Sequence, residues 1–190
     1  MEKEEIMKRF SGFTCGNRLI MLIQRAKEGG SSKTDRGATK KISTNEIEFE
    51  EILAGFLKEK NESELNLRIY STVNSRSMEA AIREFKRTQL EADYYDLPSK
   101  YSFYVDVDNR FKSCFAKPCS KEESRFLFDI DDGINPDEVR EEIKNVGGII
   151  LFEYPTKDGA HIITEPFNPT LIKKFPQDRI KKDGMLLLSF

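Results

Sequence analysis

Hydrophobic and polar positions along the chain sort into short periodic runs. From Arg18 to Ala26, "RLIMLIQRA" carries apolar residues at helical spacing, and Gly29 and Gly30 follow as a stop. "GGSSKTDRGATKKIST", residues 29–44, has the composition of a turn-rich loop. "STNEIEFEEILAGFLKEK" opens with Ser43 and Glu46 at capping-box spacing and continues as an amphipathic helix. "LNLRIYSTVN", Leu65 to Asn74, alternates and is rich in β-formers, which predicts a strand. Ser77 to Ala92 predicts a helix, with Ser77 as cap and Met78, Ala81, Ile82, Phe85 and Leu90 as its apolar face. "YSFYVDVD" and "RFLFDID" predict two further strands. "NPDEVREEIKNV" predicts a helix with Asn135 as cap, Pro136 at the first position and Gly147 as the stop. "GIILFEYPT" and "AHIITEPF" predict a strand pair around a "KDG" turn. "NPTLIKKF" predicts a short helix capped by Asn168, and "DGMLLLSF" a closing apolar strand.

Helices come first and an α/β alternation follows, which predicts an α+β fold. The expected organisation is a helical N-terminal segment over 1–64, carrying the loop 29–44, and a mixed-sheet core flanked by helices over 65–190. The loop holds Lys33, Arg36, Lys40 and Lys41 against one acid, Asp35. It is either a solvated loop or a basic arm for a phosphate backbone. There is no internal repeat.

Composition narrows the partners. With 190 residues the chain is long enough to bury a core. Charged residues make up 34% and the formal net charge is −2, so no global basic field is available and any polyanion site must be local. No apolar run approaches the roughly 20 residues that span a bilayer. "MEKEEIMKRF" lacks the apolar stretch of a signal peptide, so the expectation is a cytoplasmic protein with no membrane partner. The 3 cysteines then read as free thiols. Cys114 and Cys119 are close enough for half of a zinc site, but no second Cys or His pair lies nearby, and inert thiols are the simpler reading.

The chemistry concentrates in "FLFDIDDG", Phe126 to Gly133. On a strand, Asp129 and Asp131 share a face while Ile130 points to the core. Two such carboxylates repel unless a cation lies between them, and Mg²⁺ or Mn²⁺ with water and phosphate would supply one. The plain alternative is a strand end exposing ordinary acids, and "YVDVDN" repeats the pattern with Asp106 and Asp108. The single histidine, His161, follows Gly159 and Ala160 after Thr156, Lys157 and Asp158. Small residues at a strand entrance let a phosphate approach the backbone, with Thr156, Lys157 and His161 as donors. A lone histidine in an apolar strand is otherwise structural.

Taken in order, "FLFDIDDG", "NPDEVREEI" and "PTKDGAHIIT" resemble the catalytic core of the archaeo-eukaryotic primase superfamily, in particular the polymerase domain of bacterial ligase D. The resemblance covers Arg125 to about Phe167. It implies a primase-polymerase-like core in which Asp129 and Asp131 hold divalent metals and His161, with Gly159, binds nucleotide phosphates. Lys157 and Thr156 would assist. A third acid on a later strand completes the family's metal site, and Asp183 is the candidate in order. Thr156 and Asp158 depart from the family's more Gly/Ser-rich turn. The implied function is a nucleotidyltransferase of DNA replication, primase or DNA-directed polymerase, adding nucleoside triphosphates to a nucleic-acid 3′ hydroxyl with Mg²⁺ or Mn²⁺.

Arg68, Arg76, Lys181 and Lys182 are candidate contacts to single-stranded or primed nucleic acid, and Tyr70, Phe103 and Tyr104 candidate base-stacking residues. The shortage of basic charge implies a protein partner that supplies template grip. Two other readings stand beside this one. "FDIDDG" is similar to the start of a haloacid-dehalogenase-type phosphatase, but Ile134 and Asn135 stand where that family has a threonine shortly after the second acid. The other is a catalytically degenerate primase-fold module that binds nucleic acid, nucleotide or a protein partner.

Overall fold

The first apolar run, Arg18–Gln24, is a strand and not the helix that its spacing predicts. In the computed structural model, which describes residues 2–24, 38–94, 100–131, 133–156 and 159–189, the chain divides into two units. One comprises residues 1–122 with 186–190, the other residues 123–185.

In the first unit, helix α1 (Glu2–Arg9) precedes β1 (Arg18–Gln24). β1 lies between β2 (Ala38–Ser43) and β3 (Leu67–Thr72), antiparallel to both. Leu19 and Met21 face one core, with Ala81 and Phe115. On the other face Lys41, in register with Ile20, sits 5.3 Å over the Phe56 ring. A strand covered on both faces is apolar throughout, and such a run fits helix or strand equally.

β2 occupies the end of the expected loop and carries Lys40 and Lys41; Lys33, Asp35 and Arg36 lie outside the described residues. Helix α2 (Glu46–Glu62) is capped by Asn45, not by Ser43, which ends β2. The Asn45 side chain accepts from Glu48 N at 2.9 Å, and the Glu48 carboxylate accepts from Thr44 N and Oγ1 at 2.7 and 2.8 Å. The capping pair falls two residues later than expected, with the Glu48 carboxylate on Thr44, the residue before the cap.

Helix α3 (Met78–Tyr94) is capped by Ser77, whose Oγ accepts from Ala80 N at 3.1 Å. Its buried stripe is narrower than expected, since Ile82 and Leu90 are exposed. "YSFYVDVD" is not a strand but helix α4 (Lys100–Val105) and the start of α5 (Val107–Ala116). Phe103, Val107, Phe111 and Phe115 recur every fourth position, a helical period hidden in a window that stops at Asp108. Phe103 and Phe111 flank Phe85 with ring centroids 5.5 and 5.9 Å away. The competing acid pair is therefore dissolved. Asp106 accepts from Asn109 Nδ2 at 2.7 Å, and Asp108 pairs with Lys112.

The second unit carries β4 (Phe126–Asp131), α6 (Pro136–Asn145), β5 (Ile150–Pro155), β6 (Gly159–Thr164) and β7 (Ile180–Lys181). The sheet order is β5-β6-β4-β7, and neighbours run antiparallel. Asn135 caps α6 as expected, accepting from Asp137 N at 3.0 Å, and Gly147 ends it at φ +79. Val139 and Ile143 of α6 pack on Phe126, Phe128, Ile130 and Ile162 of the sheet. Arg140 forks onto Glu153 of β5 at 3.0 and 2.6 Å, which fixes the helix along that edge. "NPTLIKKF" forms only one 3-10 turn, Pro169–Leu171, capped by Asn168.

The chain then returns to the first unit as β8 (Met185–Ser189), giving the sheet order β2-β1-β3-β8. The fold is α+β, and the described residues form two four-stranded sheets. The segment expected to be helical before residue 65 supplies two of those strands.

Candidate functional site

Alternation along β4 sends Phe126, Phe128 and Ile130 to the α6 core and leaves Leu127, Asp129 and Asp131 on the opposite face. Register does the rest. His161 lies opposite Asp129 and Gly159 opposite Asp131. On the far side of β6, Tyr154 lies opposite His161. On the other side of β4, Lys181 of β7 lies opposite Leu127. One sheet face thus presents Tyr154, His161, Asp129 and Lys181 across its four strands.

These side chains form a connected chain of hydrogen bonds. The Tyr154 hydroxyl lies 2.7 Å from His161 Nδ1, and His161 Nε2 lies 2.9 Å from Asp129 Oδ1. A carboxylate can only accept, so Nε2 carries the proton and the tyrosine hydroxyl serves Nδ1. Lys181 Nζ donates to Asp129 Oδ2. Hydrogen bonds from His161 and then Lys181 hold the Asp129 carboxyl well below the usual carboxylate range, although burial opposes the shift. His161 is buried, only 8% exposed, with both ring nitrogens engaged. Asp131 is the open end of the face: its side chain is 57% exposed, and Arg179 Nη1 stands 3.2 Å from its Oδ2.

Gly159 belongs to the architecture of the pair. A Cβ there would stand 1.9 Å from the carbonyl oxygen of Ile130, so only glycine lets β6 approach β4 this closely. Thr156 N donates to Gly159 O at 2.9 Å and closes the β5–β6 turn. Lys157 and Asp158 lie outside the described residues.

The remaining candidates fall elsewhere. Asp183 lies in the turn after β7, two positions beyond Lys181, and Lys182 is exposed beside it. Arg68 and Arg76 belong to the other unit and are buried, so they are not the surface cations expected. Arg76 Nη1 donates to the Lys117 carbonyl at 3.1 Å, and its own backbone carbonyl accepts from Asn17 Nδ2 at 2.8 Å. Phe103 is buried against Phe85, and the Tyr104 hydroxyl donates to Asp93. Cys114 is buried near the Thr88 hydroxyl while Cys119 is exposed.

Mg²⁺ needs several oxygens converging at roughly 2.0–2.1 Å. Asp129 already shares its two oxygens between His161 and Lys181, and Asp131 faces Arg179. Among the described residues no three His, Cys, Asp or Glu side chains are grouped to hold a metal, so Asp183 does not complete such a set. In this arrangement the residues do not fit a carboxylate-held metal pair. The repulsion between the two acids is relieved by a lysine and an arginine of the same unit.

The sequence singles out Asp129, Asp131, Gly159 and His161, which lie on paired strands, but not Tyr154 or Arg179, which contact them. Alternation in β5 combined with the short "KDG" turn could have placed Tyr154 opposite His161. Arg179 sits in a 3-10 turn, Gln177–Arg179, and nothing local marks it. No family model, curated protein or solved structure matches the chain.

Proposed function

We propose that this chain is a primase-fold module that binds nucleotide phosphates on the β4–β7 face without a resident metal and without turnover. The observation that carries the reading is the pairing of Lys181 with Asp129 and of Arg179 with Asp131. A polyphosphate competes with carboxylates for such cations, and Lys181, the more exposed of the two, reaches the face from β7. His161, fixed between Tyr154 and Asp129, holds the first acid in place beneath them.

A second reading is favoured by one specific observation: the register that sets Asp129 against His161 brings together the two motifs of the resemblance. On that reading the chain is a Mg²⁺- or Mn²⁺-dependent nucleotidyltransferase acting at a nucleic-acid 3′ hydroxyl, and Lys181 must leave Asp129 before a metal enters.

The two separate in a paired experiment. Binding of a fluorescent nucleoside triphosphate and a labelled single strand is measured in EDTA, and incorporation of ribo- and deoxynucleotides on single-stranded and primed templates with Mg²⁺ and Mn²⁺. The expected result is nucleotide binding in EDTA, weakened about tenfold in Arg179→Ala, with no incorporation. Metal-dependent product that disappears in Asp129→Asn would replace this reading with the transferase. Neither binding nor product would remove both.

A further inference from the structure

We infer that Lys181 is a built-in cation standing where the Asp129–Asp131 pair would otherwise draw a divalent ion, so that its ammonium keeps a metal off Asp129. The inference deepens the proposed function and rests on its metal-free reading.

Three observations carry it. Asp129 and Asp131 share one face of β4, so their charges add at one place. Lys181 reaches Asp129 from the neighbouring strand, held there by the Leu127–Lys181 register. The two oxygens of Asp129 face different partners, with His161 on Oδ1 and Lys181 on Oδ2. Removing the ammonium therefore frees one oxygen of a carboxylate that His161 continues to orient. That is one firm ligand beside a second, exposed carboxylate, the kind of partial protein site that Mg²⁺ and Mn²⁺ complete with water. Arg179 remains on Asp131 and limits the strength of the unmasked site.

The consequence is a gain of metal binding from the loss of one side chain. The probe is Mn²⁺ alone, titrated into the full chain and followed by the loss of the free-ion electron paramagnetic resonance signal. Wild type is expected to leave Mn²⁺ free at millimolar concentrations. Lys181→Ala should bind at least about tenfold more tightly, and adding Asp129→Asn to it should return binding to the wild-type level. Lys181→Met, which keeps most of the aliphatic stem, repeats the test should the alanine variant lose its fold. Equal Mn²⁺ binding in wild type and both lysine variants would overturn the inference, as would tight wild-type binding that Asp129→Asn abolishes. Nucleotide binding in EDTA is read on the same samples. Its absence would count against the proposed function, while the Mn²⁺ comparison would still decide the place of Lys181.

Discussion

His161 is the residue on which the second unit's polar face turns. Alone in its strand it reads first as structural, and the structure gives it both ring partners, Tyr154 and Asp129. The energetic weight falls on Asp129, whose carboxyl is held below its ordinary range first by His161 and then by Lys181. A group with a lowered folded pKa stabilises the fold fully above its unfolded value, about 4 for aspartate, and loses that contribution as pH falls through the folded value. The urea midpoint of the wild-type chain should therefore fall more steeply below about pH 4 than that of Asp129→Asn. Equal slopes would show that the His161 and Lys181 contacts contribute nothing to acid stability. At this scale the sequence shows the acids, because period two is a property of any strand. Their cations were hidden. In sequence Lys181 reads as a nucleic-acid contact and nothing marks Arg179, since both reach the acids only through the pairing of β7 with β4.

Burial on both faces did not by itself decide legibility: β3, β6 and β8 are buried along nearly their whole length and read as strands, whereas β1 reads as a helix. β4, α6 and β5 alternate or carry explicit caps, β6 follows a turn signal, and the structure places them where the pattern does. β1 has no polar face to reveal its period, and α4–α5 showed theirs only across Phe103 to Phe115. The most exacting element contact is the approach of β6 to β4 at Gly159. An added methyl would meet the Ile130 carbonyl oxygen at 1.9 Å and its carbon at 2.9 Å, both backbone atoms that cannot swing aside. Gly159→Ala is therefore expected to destabilise the chain by about 1–3 kcal/mol, the usual range for overpacking. Gly12→Ala is the control, because a Cβ there meets nothing within 4 Å. Urea unfolding of the two variants decides the matter: similar midpoints would mean that the β4–β6 pairing relaxes freely. The same close approach underlies the site, since it holds the register that sets His161 against Asp129.

At the scale of the whole molecule, the chain leaves its first unit after residue 122, builds the second, and returns for the final strand. A linear reading of periodicity has no access to this. "DGMLLLSF" is legible as a strand, but which sheet it joins depends on contacts far away in sequence. β8 lies beside β3, whose other neighbour is β1, so the last residues of the chain protect one side of a strand near the middle of the first sheet. The side chains agree. Leu186, Leu187 and Leu188 are buried, and the Ser189 hydroxyl accepts from Lys60 Nζ at 2.7 Å and donates to Glu2 Oε1 at 2.8 Å, tying β8 to α2 and α1. Removing residues 186–190 should expose the β3 edge and strip three buried leucines from the first unit's core, at roughly 1.5–3 kcal/mol for each fully buried side chain. Hydrogen exchange is the appropriate readout because it resolves strands individually. Amides of β3 should exchange markedly faster in the truncated chain than in the intact one, and those of α1 should follow as its tie to Ser189 is lost. Unchanged protection in β3 would mean that β8 is not the strand that closes this sheet.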